Sequence, residues 1–462
     1  MATSSISSPG IASGLDVNGI ISKLMQLEQQ PLTTLSTKEA NYNAKLTAYG
    51  SIKGALSSLQ TAAAALAATT TFSSKSVAVS DAAVVTASAS SLAAAGSYTL
   101  SVTQLAKFHT LRSTTGYATT ADTFNTGTLA ITIGGGSAVN ITIDSSNNTL
   151  AGIRQAINDA HAGVTATILN DGTTNRLVLT STTSGAVGSI AVAVTDSGGG
   201  GTNLLSGLDS ASLLQTQPAD NALFNINGID ISRSSNTVTD AIEGLTFKLT
   251  KGTLAAPGMS TLTIVPDTDA ITSAINTFVQ GYNNAVNLLK TNSSFNVATK
   301  TAAILNGDST VRSLQSQLSD LVHTSVTGIA NGISTLSDIG IAVQKDGTLA
   351  IDSTKLAAAL ADPNKDVTAL FTQTTTGNEG IAVRFSSVLR TSIGFDGLIA
   401  SRTDGIAASI KQIGNSRDAL NLRLAKIEAR YRVQFTALDT MMANMQKTSQ
   451  YLTQQFARSS TN

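Results

Sequence analysis

The chain of 462 residues contains no cysteine and no tryptophan, and only three histidines, six prolines and six methionines. Without cysteine there is no disulfide scaffold, no thiolate zinc site and no cysteine nucleophile. Aromatic residues are 4% of the chain, so any core must be built from Ala, Val, Ile and Leu. Charged residues are scarce as well, 13% against about a quarter in an ordinary globular protein. No uninterrupted apolar run approaches the roughly 18 residues of a spanning helix. The N-terminal stretch is polar, with no basic cap before an apolar run, so no Sec-type signal peptide is expected.

What fills the space is serine and threonine, 54 and 64 residues. The balance of 29 basic and 29 acidic residues hides a gradient. Residues 1–72 carry four bases and three acids, residues 73–400 carry 16 and 22, and residues 401–462 carry nine and four. No basic block is dense or aromatic-laced enough to read as nucleic-acid binding.

The strongest periodicity lies at the C-terminus. A seven-residue row runs Ile410, Arg417, Leu424, Tyr431, Leu438, Met445, Leu452. Three residues after each come Ile413, Leu420, Ile427, Gln434, Met441, Thr448 and Gln455. These are a and d positions of a coiled coil, and such a helix over 405–457 would be about 80 Å long. It cannot bury its stripe alone. Arg417, Gln434, Thr448 and Gln455 break the seam, which costs stability and sets register or copy number.

The other terminus supplies a partner. Val17, Ile20, Ile21, Leu24 and Leu27 predict a short amphipathic helix opened by Asp16 and ended by Pro31, followed by a long helix over 32–68. Between the two ends the period changes to two, as in Lys75-Ser-Val77-Ala-Val79 and Tyr98-Thr-Leu100-Ser-Val102, which predicts antiparallel strands. Residues 128–182 predict hairpin, helix, hairpin, with Ser145, Ser146 or Asn147 capping the helix and a turn at Asp171-Gly172. The segment from Ile141 is similar to that from Ile229, which predicts a repeat of strand, Ser-Ser-Asn cap, short helix and strand. Residues 269–400 return to helix: Asp308 is placed to cap a helix bearing Val311, Leu314, Leu318 and Leu321, and Pro363 to start a short one ending at Phe371.

The fold class expected is α+β and multidomain: long N- and C-terminal helices form a coiled-coil leg, with β-rich head domains inserted between them. The expected division is 1–39 with 405–462 as a coiled-coil base and 40–72 with 269–404 as a helical leg. Residues 73–117 with 220–268 would form a β-rich head, and 118–219 an inserted outer head.

Catalytic patterns are missing: no GxSxG, GxGxxG, P-loop or HExxH occurs. His109, His161 and His323 fall in three different segments. Asp267 and Asp269 read as a helix cap, Gly134-Gly135-Gly136 as a hairpin turn, and Lys345-Asp346-Gly347-Thr348 lacks the further acids of a calcium loop. The chain reads as a structural or interaction protein, not an enzyme, with no cofactor or metal.

An ordered series of motifs resembles the bacterial flagellar filament cap family, hook-associated protein type 2, over essentially the whole chain. It begins with Ser7-Ser-Pro-Gly-Ile-Ala-Ser-Gly-Leu-Asp16, then Tyr49-Gly-Ser-Ile-Lys-Gly-Ala-Leu-Ser-Ser-Leu59. Residues 140–180 are similar to the hook-protein motif, and Phe224 through Phe247 to the returning head segment. Asp338-Ile-Gly-Ile341, Asp346-Gly-Thr-Leu349 and Asp396-Gly-Leu-Ile399 resemble the leg, and Ile427-Glu-Ala-Arg-Tyr-Arg-Val-Gln-Phe-Thr-Ala-Leu-Asp439 the C-terminal helix.

The resemblance implies an annular homo-oligomer at the distal tip of the growing flagellum, five copies being the familiar number. It would hold exported flagellin beneath its plate and promote its folding into the filament. The implied partners are the chain itself, flagellin, hook–filament junction proteins and an export chaperone that binds residues 440–462. Secretion would follow the flagellar type III route, with no nucleic-acid partner and no membrane insertion. On this reading the terminal seams carry assembly and filament contact through Leu24, Leu27, Leu420, Leu424, Ile427, Tyr431, Leu438, Met445 and Leu452. The alternatives are another axial flagellar protein, such as a flagellin or junction protein, and a Ser/Thr-rich surface adhesin.

Overall fold

The computed structural model describes residues 16–329 and 332–459. The Ser7–Leu15 part of the opening motif and residues 460–462 lie outside that range. The chain divides into two compact units: residues 1–69 with 272–462, and residues 70–271.

In the first unit, α1 (Val17–Glu28) opens on Asp16, whose Oδ1 accepts the Gly19 N–H at 2.9 Å. After the break at Gln29, α2 (Gln30–Ala67) carries Pro31 in its first turn, where a missing N–H costs nothing. Its buried face, with Tyr49, Ile52, Leu56, Leu59, Ala63 and Leu66, follows the 3,4 spacing of the sequence. The short α3 (Thr69–Phe72) leads into the second unit.

That unit holds two cores. β1 (Lys75–Val79), β2 (Val85–Ala89), β3 (Gly96–Gln104) and β4 (Phe108–Ser113) come first. The hairpin of β5 (Gly127–Ile133) and β6 (Val139–Ile143), α4 (Leu150–Asp159), and the hairpin of β7 (Val164–Asn170) and β8 (Asn175–Ser184) follow. β9 (Ile190–Asp196) and β10 (Leu213–Gln217) complete one half. Here the sheets β10-β4-β8-β7 and β6-β5-β9 enclose Leu129, Ile131, Leu150, Ile153, Ile157, Leu177 and their neighbours. His109 is structural: it is buried, and its Nδ1 accepts the Ile190 N–H at 2.8 Å.

The other half uses β11 (Ala222–Ile226), β12 (Ile229–Arg233), β13 (Thr237–Ile242), β14 (Leu245–Leu249) and β15 (Gly258–Pro266). A five-stranded sheet β1-β15-β3-β11-β12 and a three-stranded sheet β13-β14-β2 close over Leu100, Val102, Phe224, Phe247 and Leu262. The β11–β12 turn is Asn227-Gly228, both at positive φ (50° and 87°), the left-handed pair a two-residue hairpin requires.

The chain returns through α5 (Thr268–Ser293), capped by Asp267, into the first unit. A small hairpin of β16 (Phe295–Asn296) and β17 (Thr301–Ala302) precedes α6 (Ser309–His323), capped by Asp308. Then come the hairpin β18 (Ile341–Val343) and β19 (Leu349–Ile351), α7 (Ser353–Ala361), α8 (Val367–Thr372), α9 (Ile381–Ile393) and the 62-residue α10 (Leu398–Ser459). Long terminal helices and inserted β-sheets make the chain α+β, as its composition of periods implies.

Three local expectations are corrected. α4 is capped by Thr149, which accepts the Gly152 N–H, because Ser146 and Asn147 are committed to a turn around Asp144. The supposed second repeat places a strand, β13, where the first has α4. Thr237-Val-Thr-Asp-Ala-Ile is rich in β-branched residues, and Asn236 bonds the backbone of Ala106 through both its amide oxygen and nitrogen instead of capping a helix. Pro363 lies ahead of α8, whose cap is Asp366 accepting from the Ala369 N–H.

Candidate assembly site

α1 lies against α10. Val17, Ile21 and Met25, spaced at four residues, bury themselves with Leu424, and Leu32, Leu420, Ile427, Tyr431 and Phe435 pack around them. Of the residues expected at the seam, Leu424 is thus fully covered, Leu420, Ile427 and Tyr431 are half-buried, and so is Leu24. Leu27 is 67% exposed and faces away from this cluster. The covered face turns Met25 inward, since it is Val17, Ile21 and Met25 that lie one above another on the helix.

One polar interruption of the seam, Arg417, and one seam residue, Tyr431, reach partners on the N-terminal helices. Arg417 Nη1 meets Glu39 Oε2 on α2 at 2.8 Å. The Tyr431 hydroxyl donates to Glu28 Oε1 on α1 at 3.3 Å. Both contacts tie α10 to the N-terminal helices across nearly the full length of the chain.

Nearer the start of α10 a buried network joins three distant segments. Asp308 Oδ2 accepts two bonds from Arg402, at 2.7 and 3.1 Å, and Oδ1 accepts the Tyr49 hydroxyl at 2.8 Å. The Asp308 side chain is 4% exposed. Burial works to raise its pKa, but the bonds from Tyr49, Arg402 and the Thr310 N–H outweigh it and hold the carboxyl below its usual value. Burial, then the Asp308 carboxylate, pushes the Tyr49 phenol up to about 12. Sequence reasoning found Asp308 only as a cap. Nothing in a linear pattern announces partners 259 and 94 residues away.

Beyond Tyr431 the heptad row loses its cover, although Asp439 stays buried and Met442 half-buried on the adjoining stripe. Leu438, Met441, Met445 and Leu452 are 43%, 62%, 61% and 49% exposed, so among the described residues no element covers them. Met441, Met445 and Leu452 line a shallow trough with Ala437 and Thr448. The surface is therefore apolar and uncovered at one end and closed by α1 at the other. It offers packing, not chemistry. Among the described residues no cluster of three or more acids and histidines is placed to hold a metal ion, and no helix is long and apolar enough to cross a membrane.

Comparison with known proteins gives three family matches: the flagellar hook-associated protein 2 N-terminus over residues 13–109, its C-terminus over 219–447, and the flagellin hook IN motif over 128–183. Flagellar hook-associated protein 2 of Escherichia coli is 35% identical, covering 99% of both chains. The B-type flagellar hook-associated protein 2 of Pseudomonas aeruginosa is 32% identical, covering 97% of this chain and 98% of that one. The crystal structure of the flagellar cap protein FliD D1-D2-D3 domains from Escherichia coli superposes with a TM-score of 0.63 at 33% identity, covering 78% of this chain and 99% of that one.

Proposed function

The chain belongs to the flagellar hook-associated protein 2 family, and on that premise we propose that it is a structural cap at the distal end of the bacterial flagellar filament. It forms an annular homo-oligomer, holds exported flagellin beneath its plate and promotes its folding and insertion into the filament. Junction proteins adjoin it before the filament grows, a chaperone holds residues 440–462 before export, and the route out is the flagellar type III channel. The two cores of residues 70–271 serve as the head, α2 with α5 to α9 as the leg, and α1 with α10 as the base.

The observation that carries this reading is the change along α10. One heptad pattern is covered by α1 as far as Tyr431 and then continues uncovered through Leu438, Met445 and Leu452. An apolar row of that kind marks an interface completed by another chain. The test is complementation of a cap-deficient cell with Leu438→Asp/Met445→Asp. The purified variant is expected to keep the wild-type melting temperature, because neither side chain belongs to a core. The cells are expected to secrete flagellin as monomer and build no filament. Normal motility would refute the assignment of these residues.

A further inference from the structure

The α9–α10 connection presents a phenyl ring to solvent. Phe395 is 93% exposed, more than any other large apolar side chain among the described residues, in a chain with only 12 phenylalanines. The turn around it is tight: the Gly397 N–H donates to the Gly394 carbonyl at 3.0 Å, which puts Phe395 and Asp396 at its two central positions. A Cβ on Gly397 would lie 2.4 Å from the Thr391 carbonyl oxygen, so the close approach requires glycine. The turn is thus a rigid knob with an aromatic ring and a carboxylate side by side.

A complementary hollow lies elsewhere on the same unit. Between α5, α6 and the β18–β19 turn is a groove of about 350 Å³. Its floor is Tyr282, Val286 and Leu289, and its rim carries Lys290, Lys345 and His323. The Tyr282 ring is buried beneath the groove, edge-on against Phe385 with 6.0 Å between centroids, so the apolar surface open to a phenyl ring is the half-buried Val286 with the stems of Lys290 and Lys345. The acid on the rim, Asp346, accepts the Thr348 hydroxyl and N–H at Oδ1. Those bonds first, and the nearby Lys290 charge after them, hold its carboxyl below the usual value, which leaves Lys345 as the rim cation without an acid among the described residues. The groove asks for an aromatic ring flanked by a carboxylate.

Groove and knob face opposite ways. Gln315, Ser319 and His323 line the groove at four-residue spacing on α6. Gln317, about 200° around the helix from Gln315, accepts the Ser392 hydroxyl and lines the hollow beside Asp396 and Leu398. A protomer cannot fill its own groove with its own knob. Two copies can, and a contact between two different patches is heterologous, the kind that propagates head to tail until it closes as a ring.

We propose that Phe395 and Asp396 of one copy insert into the groove lined by Tyr282, Leu289, Lys290 and Lys345 of the next, and that this contact links the legs of neighbouring subunits. The inference rests on the homo-oligomer reading above and names a surface for it. It commits to a second copy of this chain, since knob and groove match in both apolar and charged character.

The test is self-association of the full chain followed by analytical ultracentrifugation. Phe395→Ser and Asp396→Lys are each expected to weaken association at least tenfold with no change in melting temperature, both side chains being exposed. Lys290→Glu/Lys345→Glu is expected to do the same, and adding Asp396→Lys to that pair to recover association. If the single variants assemble like the wild type, or the charge swap recovers nothing, the knob-and-groove contact is wrong while the homo-oligomer stands. If the wild-type chain stays monomeric at every concentration, both fall.

Discussion

Asp308 does two jobs at one position: it caps α6 and it receives Tyr49 and Arg402 from α2 and α10. Removing one partner of a buried charge pair costs about 3–5 kcal/mol, and Arg402 is 42% exposed, so Asp308→Ala should cost nearer 3. Urea denaturation of the full chain would measure it. The pH dependence has a definite sign. A carboxyl held below its ordinary value contributes stability that is present above about pH 4 and is lost as pH falls through the folded-state value. The wild type should therefore lose stability between pH 5 and about pH 3 more steeply than Asp308→Asn. Equal slopes would show that the carboxylate is not the group responsible. The cap was legible in the sequence, because a cap is a relation between neighbours. The network was not, because it is a relation between helices.

Among the elements, α10 shows how far periodicity carries. The heptad predicts a helix over 405–457, and the structure extends it back to Leu398. It could not say which part of the stripe would be covered. That depends on where α1 and α2 end, and α1 reaches only the stretch around Leu420 to Phe435. Leu424→Ala should consequently destabilise the first unit by about 2–4 kcal/mol, while truncation after residue 440 should leave its melting temperature within a few degrees. A larger fall on truncation would mean that the distal helix is covered within the subunit. The failed repeat teaches the same lesson in reverse. Two segments sharing Ser-Ser-Asn diverge into helix and strand because their downstream residues differ, Leu-Ala-Gly-Ile-Arg against Thr-Val-Thr-Asp-Ala.

For the whole molecule the decisive fact is insertion. The second unit leaves and rejoins the first through β1 and β15, which are paired from Lys75 with Pro266 to Val79 with Leu262. Its ends are adjacent, and its two cores are its own. A fragment of residues 70–271 should therefore fold alone, and scanning calorimetry of the full chain should resolve a transition that coincides with that of the fragment. A single cooperative transition of the full chain, with an unfolded fragment, would show that the head depends on the helices. The charge gradient also has its place. Nine of the 29 basic residues fall in 401–462, within or beside α10, and the acidic excess lies mostly in the strand-rich middle.

Patterns along the chain sufficed for the periods, and with them the classes of element: helical ends, a strand-rich middle, caps at Asp16 and Asp308, turns at Asp171 and at Gly134 to Gly136. These follow from relations within a few residues along the chain, and a linear pattern records such relations directly. That Met25 and not Leu27 turns inward, and that Arg417 meets Glu39, depends on the packing of the helices. The same packing brings Tyr49, Asp308 and Arg402 together, and leaves Phe395 and the end of the α10 stripe uncovered. Each of those outcomes depends on which surface arrives opposite which, and a side chain's spacing along its own helix does not specify the helix that comes to face it.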